Sequence, residues 1–239
     1  MKCALAVTAA ILAAAVGWLG WQARGLPATA DIRARLFERP PAGQRTWLPL
    51  WAISPRLQTA VVLWEDPAFF HHSGLSYREI VRAALIDLRS ASYQRGASTI
   101  TQQVARNLFL SSEKTLSRKL REAILARRIE RALSKEDILT VYLNIAQWGE
   151  DIVGAEAASR RYFSKPASDL TWAEAALLAG ILPNPRQWNP CANPEQALRQ
   201  RHTVLTKLLA SGDLTPQEFR IADAAPLSAA CSSSGNPRR

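Results

Sequence analysis

The feature that most constrains the fold is an uncharged, apolar run near the N-terminus. It extends from Cys3 to Ala23, with Lys2 before it and Arg24 after it. A helix rises about 1.5 Å per residue, so a run of this length reaches about 30 Å, the thickness of the hydrocarbon core of a bilayer. Residues 1–24 are therefore predicted to be a cytoplasmic end and a transmembrane anchor.

A cleaved signal peptide is the alternative interpretation of this run. The sequence ATA at 28–30 resembles a small-residue cleavage site, but Arg24 separates it from the apolar run, which is longer than a usual signal core. An uncleaved anchor is favoured. The charges define its orientation poorly, because Arg24, Arg33 and Arg35 outnumber Lys2.

The rest of the chain is predicted to be mostly helical. Residues 25–50 are rich in proline and are interpreted as a linker or lead-in, residues 51–222 as the folded domain, and residues 223–239 as a disordered tail. The four prolines within 182–194 predict a loop. Helix starts are indicated by capping-box patterns, which pair Ser76 with Glu79, Ser134 with Asp137, Thr171 with Glu174, and Thr215 with Glu218.

The net charge and the cysteine content limit which binding partners, metal sites and disulfides are expected. The formal net charge is +10, which favours an anionic partner such as nucleic acid, an anionic membrane face or a phosphorylated substrate. No basic stripe interleaved with aromatic residues supports nucleic acid. The cysteines are Cys3, Cys191 and Cys231; their spacing argues against a zinc site, and pairing of Cys191 with Cys231 stays open.

The stretch EDPAFFHHSG, residues 65–74, combines two acids with aromatic residues and histidines directly after an apolar run. Apolar surroundings raise the pKa of a carboxyl group, so Glu65 is a candidate general acid or base. His71 and His72 are adjacent, whereas a helical metal site uses histidines four positions apart, so metal binding is disfavoured. His72 is interpreted as a structural histidine.

Two further stretches carry candidate chemistry. On a helical wheel Arg118 and Glu122 share one side with Leu125 and Ile129, so Glu122 is either a functional acid or part of a solvated, salt-bridged helix. The spacing alone favours the second interpretation. The stretch 95–107 collects hydroxyl and amide side chains around a glycine, as sugar and phosphate oxygens require, although a helix N-cap explains part of it.

Together these residues resemble the monofunctional biosynthetic peptidoglycan glycosyltransferases, which are related to the glycosyltransferase domain of class A penicillin-binding proteins. Four family motifs recur in order over roughly residues 50–210. The first comprises Glu65, Asp66, Phe69, His72 and Gly74. The second comprises Gly96, Ser98, Thr99, Ile100, Thr101, Gln102 and Gln103. The third comprises Arg118, Lys119 and Glu122, and the fourth comprises Lys135, Ile138, Leu139, Tyr142, Leu143 and Asn144.

The fifth motif, R-x-x-x-V-L, matches only in part. Val204 and Leu205 are present, but Gln200 stands at the arginine position, with Arg199 and Arg201 beside it. The resemblance implies that a neighbouring arginine takes this role. Arg201 is chosen here as the substrate-binding residue.

The resemblance implies a lysozyme-like, two-lobed helical domain with an N-terminal transmembrane helix. It also implies polymerisation of lipid II into glycan strands, with inversion and release of undecaprenyl diphosphate. Glu65 and Glu122 would then be the catalytic acids. The expected substrate-binding residues are Ser98, Thr99, Gln102, Gln103, Arg106, Asn107, Arg118, Lys119, Lys135 and Arg201. Structural positions are expected at Asp66, Phe69, His72, Gly74, Gly96, Tyr142 and Asn144.

By the same resemblance, the partners would be lipid II, the growing lipid-linked strand, the membrane and other cell-wall synthesis and division proteins. The expected location is the inner membrane, single-pass, with the catalytic domain in the periplasm. No metal-ligating residue is assigned, and Mg²⁺ or Mn²⁺ at the diphosphate is an option. Two rivals stay open: a lytic enzyme of lysozyme-like fold, and a non-catalytic membrane-tethered scaffold or nucleic-acid binder.

Overall fold

The fold is mostly helical, which confirms this part of the predicted fold class. The computed structural model describes residues 13–14, 16–38, 46–76, 98–111, 113 and 115–227. Residues 16–22 are α-helical. The α-helices that follow in the described residues are α1 (Thr29–Arg33), α2 (Pro55–Glu65), α3 (Ile100–Phe109), α4 (Leu116–Ala132), α5 (Lys135–Ile145), α6 (Ala155–Phe163), α7 (Trp172–Ile181), α8 (Pro194–Ser211) and α9 (Pro216–Ala224). Short 3₁₀ turns lie at Leu50–Ala52, Phe69–His71 and Ala167–Asp169, and a π turn at Ala34–Glu38.

Side-chain caps fix several helix starts where the sequence predicts them. The side chain of Ser134 accepts a hydrogen bond at the start of α5, and Thr171 and Thr215 form complete capping boxes at α7 and α9. Helix α8 begins with proline after the predicted loop, and Asn193 caps it. For the pattern that begins at Ser76, the partner position lies outside the described residues.

Helix α7 forms the centre of the core. Nearly all of its residues are buried, and it packs against α2 on one side and α8 on the other. Gly180 permits the close approach of α8, because a Cβ atom at this position would lie 2.9 Å from Cβ of Gln200. This packing holds α2, and therefore Glu65 at its C-terminus, against the rest of the domain.

A short antiparallel hairpin, β1 (Gln147–Gly149) and β2 (Ile152–Val153), follows α5. The sequence did not predict it, since two such short strands leave almost no alternating pattern. The indole of Trp148 donates a hydrogen bond to the carbonyl of Leu178, and the hydroxyl of Tyr162 donates to the carbonyl of Trp148. The hairpin is thereby joined to α6 and α7.

The N-terminal part of the chain packs on the domain. Residues 29–38, within the predicted linker or lead-in, are helical, and Ile32 and Leu36 are buried. Within the described ranges, no helix combines the length and apolarity that a bilayer span requires. Residues 1–12 and 15 of the predicted anchor lie outside those ranges.

The C-terminal part is described as far as residue 227. Helix α9 extends to Ala224, two residues into the predicted tail, and residues 228–239 lie outside the described part. Cys191 is disulfide-bonded. Cys231, its candidate partner from the sequence, lies outside the described residues, so their pairing stays open.

Candidate active site

Glu65 is the last residue of α2, and its carboxylate is oriented by α3. The side-chain amide of Gln103 donates a hydrogen bond to Oε2 of Glu65 at 2.8 Å. The hydroxyl of Tyr142 on α5 faces the amide oxygen of Gln103 at 3.3 Å. Because this oxygen accepts from Tyr142, the amide is oriented with its NH₂ group toward Glu65.

The surroundings of Tyr142 keep its phenol protonated. Burial raises the pKa of Tyr142 well above its usual value, the charges of Glu65 and Asp66 raise it further, and the charge of Arg106 lowers it. A protonated phenol can donate to Gln103. The charge of Arg106, which lies on the same helix as Gln103, therefore acts on Tyr142.

The loop after Glu65 is held by a buried cluster that we call the Asp66 cluster: Asp66, His72, Gly74, Thr99 and Ile100. The carboxylate of Asp66 accepts from Nε2 of His72 at 2.9 Å and from the backbone N–H of Ile100 at 3.0 Å. Nδ1 of His72 accepts from the N–H of Gly74, so the proton of the neutral ring lies on Nε2. The hydroxyl of Thr99 donates to the carbonyl of Gly74 at 2.7 Å.

Gly74 has a positive φ of 89°, and a Cβ atom here would lie 3.0 Å from the carbonyl oxygen of Ala126 on α4. The position therefore requires glycine both for its backbone conformation and for its contact with α4. The Asp66 cluster joins the loop after Glu65 to the first turn of α3, and Gly74 brings it against α4.

Glu122 lies in a second cluster, the Glu122 cluster, formed with Arg118, Lys119 and Ser98. Only 1 % of the Glu122 surface is exposed. Nη1 of Arg118 donates to Oε2 of Glu122 at 2.7 Å, and the ammonium of Lys119 contacts Oε1. Lys119 also donates to the hydroxyl of Ser98 at 2.7 Å. Glu122 is thus a buried, ion-paired acid, which excludes the interpretation as an exposed carboxylate on a solvated helix face.

The second motif connects the two acids. Ser98 contacts the Glu122 cluster through Lys119, and Gln103, five residues later, contacts Glu65. The structure therefore brings the predicted acids to the two ends of one short polar segment. Gly96, also predicted as a motif residue, lies outside the described residues.

Thr99 and Gln102 form a capping box at the start of α3, and both are buried. The hydroxyl of Thr99 accepts from the N–H of Gln102, and the side-chain oxygen of Gln102 accepts from the N–H of Thr99. The cap at Thr99 agrees with the alternative that the sequence offered, and the burial of Gln102 within it was not expected. The substrate roles of both residues stay predictions.

Lys135 belongs to a different network. Its ammonium pairs with Glu130 at 2.7 Å and lies 4.4 Å from the ring centre of Phe69. Glu130 also accepts from the hydroxyl of Thr101 at 2.6 Å. These contacts join α3, α4 and α5 beside the Asp66 cluster.

The side chain of Asn144 joins α5 to the chain that leads into α2. Its side chain accepts from the N–H of Leu48 and donates to the carbonyl of the same residue, each at 2.8 Å. This pair of bonds fixes the chain that leads into α2 against α5. Asn107 is exposed on α3, where its side-chain oxygen accepts from Arg106 at 3.4 Å.

Arg201 is buried between α8 and α9. Its guanidinium donates to the backbone carbonyl of Asp223 at 2.7 Å, and burial lowers its pKa while the charge of Asp223 raises it. Among the described residues no hydrogen bond or ion pair links Arg201 to the networks of Glu65 or Glu122. The structure thus gives it a helix-packing contact, and its substrate role stays a prediction.

Lys207 is a residue that the sequence did not single out. Its ammonium lies 4.6 Å from the ring centre of Trp64, the neighbour of Glu65 on α2. On the other flank of α2, a pocket of about 360 Å³ is lined by Val62, Pro67 and Phe70 among others. No sequence signal identifies Lys207, because α8 is more than a hundred residues from α2 and only the fold brings them together.

The described residues do not fit a protein-held metal. Both oxygens of Glu122 already contact cations, and the carboxylate is almost fully buried. Within the part of the chain that the structure describes, no three His, Cys, Asp or Glu side chains converge as a metal would need.

Comparison with known proteins gives the family. The profile of the transglycosylase family matches residues 33–209, which is more than half of the chain. The chain is 44% identical over 184 residues to the biosynthetic peptidoglycan transglycosylase of Rhodospirillum centenum, covering 77% of this chain and 79% of that protein.

Larger relatives match with a smaller share of their length. The chain is 41% identical over 197 residues to penicillin-binding protein 1A of Aquifex aeolicus, covering 82% of this chain and 27% of that protein. The crystal structure of penicillin-binding protein 1A from Haemophilus influenzae overlaps with a TM-score of 0.38 at 25% identity, covering 54% of this chain and 16% of that one. A TM-score this low adds nothing to the assignment. The profile match and the Rhodospirillum relative suffice: the chain belongs to the transglycosylase family, and the prediction that it is a peptidoglycan glycosyltransferase is confirmed.

Proposed function

We propose that the protein polymerises lipid II into glycan strands by inverting transfer. The growing lipid-linked strand is the donor, lipid II is the acceptor, and undecaprenyl diphosphate leaves. The observation that carries this proposal is the geometry around the two acids. Gln103 donates a hydrogen bond to the carboxylate of Glu65, and Arg118 and Lys119 hold two positive charges beside Glu122.

Glu65 is the general base in this proposal. A base has to lie within reach of the proton that it accepts, with its carboxylate held in a fixed orientation. Gln103 fixes the orientation of the carboxylate and Tyr142 fixes the orientation of Gln103. Glu65 takes the proton from the 4-hydroxyl of the acceptor sugar, whose oxygen attacks the anomeric carbon of the donor from the face opposite the diphosphate.

The Glu122 cluster stabilises the leaving diphosphate. Arg118 and Lys119 together carry one positive charge more than Glu122 neutralises, and negative charge develops on the diphosphate as its bond to the sugar breaks. The Nε–H of Arg118 is buried and has no hydrogen-bond partner among the described residues. A diphosphate oxygen would supply that partner, since a buried donor left unpaired is unfavourable. Glu122 then acts as a positioning residue for the two cations.

Ser98, Arg106 and Asn107 complete the proposed substrate surface. Ser98 contacts Lys119, whereas Arg106 and Asn107 follow Gln103 by three and four positions and so share its face of α3. Arg106 adds positive charge near the donor sugar or its diphosphate. Mg²⁺ or Mn²⁺ is compatible with this arrangement as a partner of the substrate diphosphate, and no step above depends on it.

We also propose that the protein is a lysozyme-like, two-lobed domain held by one N-terminal helix in the inner membrane. This arrangement would keep the periplasmic site beside its lipid substrates. Residues 16–22 are helical, and Trp18, Leu19 and Trp21 are exposed in the described chain. Tryptophan is favoured at membrane–water interfaces, which agrees with an anchor that leaves the bilayer near this point.

The test offers the full-length protein two substrates in separate reactions. With fluorescent lipid II in detergent micelles we expect long glycan polymer and released undecaprenyl diphosphate. With preformed glycan polymer that is not attached to lipid, we expect no shortening of the polymer. A lytic enzyme would show the reverse, with fragments from polymer and no product from lipid II, and a scaffold protein would act on neither.

A further inference from the structure

The chain between residues 22 and 36 lies along α4, the helix that carries the Glu122 cluster. The hydroxyl of Ser117 donates to the side-chain oxygen of Gln22 at 2.7 Å. One helical turn later the guanidinium of Arg121 reaches the carbonyl of Arg24 at 3.5 Å. Ser117, Arg121 and Arg128 are at positions i, i+4 and i+11, which fall on one stripe of a helix.

Arg128 makes the strongest contact of this stripe. Its Nη1 donates to the carbonyls of Leu26 and Pro27, at 3.1 and 2.9 Å. Both carbonyls belong to buried residues that precede α1, so they have no helical partner of their own. A guanidinium that satisfies two buried carbonyls fixes the path of the chain at this point. The contacts with Gln22 and with Leu26 and Pro27 are spaced along about 16 Å of α4.

The remaining part of the segment continues into the core. Ile32 and Leu36 are buried, and Arg33 pairs with Asp137 in the first turn of α5 at 3.0 Å. Gln22, although polar, is also buried. The segment is therefore packed and hydrogen-bonded over its whole length rather than loosely attached.

Helix α4 is thus held from two sides. One face packs on α3 and presents Arg118 and Glu122, and the neighbouring face carries the stripe that contacts residues 22–27. Ser117 and Arg118 are adjacent in sequence, so a displacement of the first moves the backbone of the second. The position of the two cations depends on the N-terminal segment as well as on α3.

We propose that residues 22–36 are a positioning element of the candidate active site, with Arg128 as its central positioning residue. The segment fixes α4, and through it Arg118 and Lys119, relative to the point where the chain leaves the apolar N-terminal run. This inference rests on the proposed function for its kinetic consequence, since Arg128 acts on diphosphate binding only through α4.

The experiment compares Arg128→Met, Arg128→Lys and Arg131→Met in the full-length protein. Arg131 is exposed on the same helix and serves as the matched control. Amide hydrogen exchange is measured over the whole chain, and binding of undecaprenyl diphosphate is measured by titration. We expect Arg128→Met to exchange about ten times faster at residues 116–122 and to bind undecaprenyl diphosphate several-fold more weakly. Arg128→Lys should recover part of both effects.

Three results would overturn the proposal. The first is that Arg128→Met shows the same exchange rates and the same affinity for undecaprenyl diphosphate as Arg131→Met. The second is that exchange becomes faster to the same extent in α7 and in α4, which would mean a general loss of stability. The third is selective loosening of α4 with unchanged affinity. If Arg128→Met does not fold, Ser117→Ala, which removes only the bond to Gln22, is measured in the same way. Failure of the wild-type protein to bind undecaprenyl diphosphate would count against the proposed function, and the exchange data would still decide whether the segment holds α4.

Discussion

The Asp66 cluster allows a sharp prediction for the variant Asp66→Asn. The carboxylate of Asp66 accepts from two donors, the Nε2–H of His72 and the backbone N–H of Ile100, at a site that is almost fully buried. An asparagine can place its oxygen where Oδ2 stands. Its NH₂ group then takes the place of Oδ1, which lies 3.0 Å from Nε2 of His72, and so faces the N–H of that ring. If His72 carries its proton on Nδ1 instead, this N–H faces the backbone N–H of Gly74.

Either arrangement leaves one buried donor opposed to another, and both lose the charge of the acceptor. A buried unsatisfied group costs about 1–3 kcal/mol, so we expect Asp66→Asn to lower the free energy of unfolding by about 2–3 kcal/mol. For a domain of this size that corresponds to a melting temperature lower by roughly 4–12 °C. Polymerisation of lipid II should also fall, because the loop after Glu65 loses its attachment to α3.

The assay is urea unfolding of the full-length protein in detergent, followed by circular dichroism. Asp169→Asn is the matched control: Asp169 is exposed and accepts one hydrogen bond from Ser168, which asparagine can retain. The control should stay within about 0.5 kcal/mol of the wild type. If Asp66→Asn also stays within that range, the buried hydrogen bonds described for the cluster do not stabilise the loop.

Three other side chains give further predictions. Gln103→Leu removes the donor to the proposed base, worth about 1.5–3 kcal/mol, so kcat for lipid II polymerisation should fall about 10- to 100-fold at saturating substrate. Arg118→Ala removes a proposed diphosphate contact and should reduce kcat/KM for the donor about tenfold or more, measured by varying the donor at fixed acceptor. Burial raises the pKa of Glu174, but hydrogen bonds from Lys165 and Thr171 outweigh it and lower the pKa below the usual 4.5. The stability lost in Glu174→Gln should therefore be seen fully above pH about 4.5 and should vanish as pH falls through the lowered pKa, measured by urea unfolding at a series of pH values.

Each of these has a control on the same molecule. Gln217→Leu makes the same change on the exposed part of α9, and an equal loss of kcat there would deny Gln103 a specific role. Arg131→Ala tests the general effect of charge on α4, and donor kinetics equal to those of Arg118→Ala would reduce Arg118 to a salt-bridge partner. Glu195→Gln removes an exposed carboxylate, and the same pH dependence in that variant would contradict the account of Glu174.

The sequence predicted what depends on local chemistry. Capping patterns located the starts of α5, α7 and α9, because a cap involves side chains only three positions apart. Glu65 was a candidate from its apolar surroundings, whereas Glu122 was identified by resemblance, since spacing alone favoured an exposed salt bridge for it. Its burial depends on how α4 packs on α3, which no local pattern records.

Other features depend on contacts between distant parts of the chain. The role of Gln103 in orienting Glu65, and of Tyr142 in orienting Gln103, required three helices to meet. The packing of residues 22–36 on α4 was hidden because prolines on either side of α1 suggested a linker. The reciprocal cap of Thr99 and Gln102 was foreseen only in part, and the substrate roles expected of both residues stay predictions.

The role of Glu65 as the base that drives polymerisation is tested by the rate at which Glu65→Gln forms polymer. Purified wild-type and variant proteins are incubated with lipid II, and polymer is measured after confirming equal unfolding curves. If Glu65 is the base, the variant forms no polymer above background although its fold is intact. Polymer formation at a rate near that of the wild type would contradict this role.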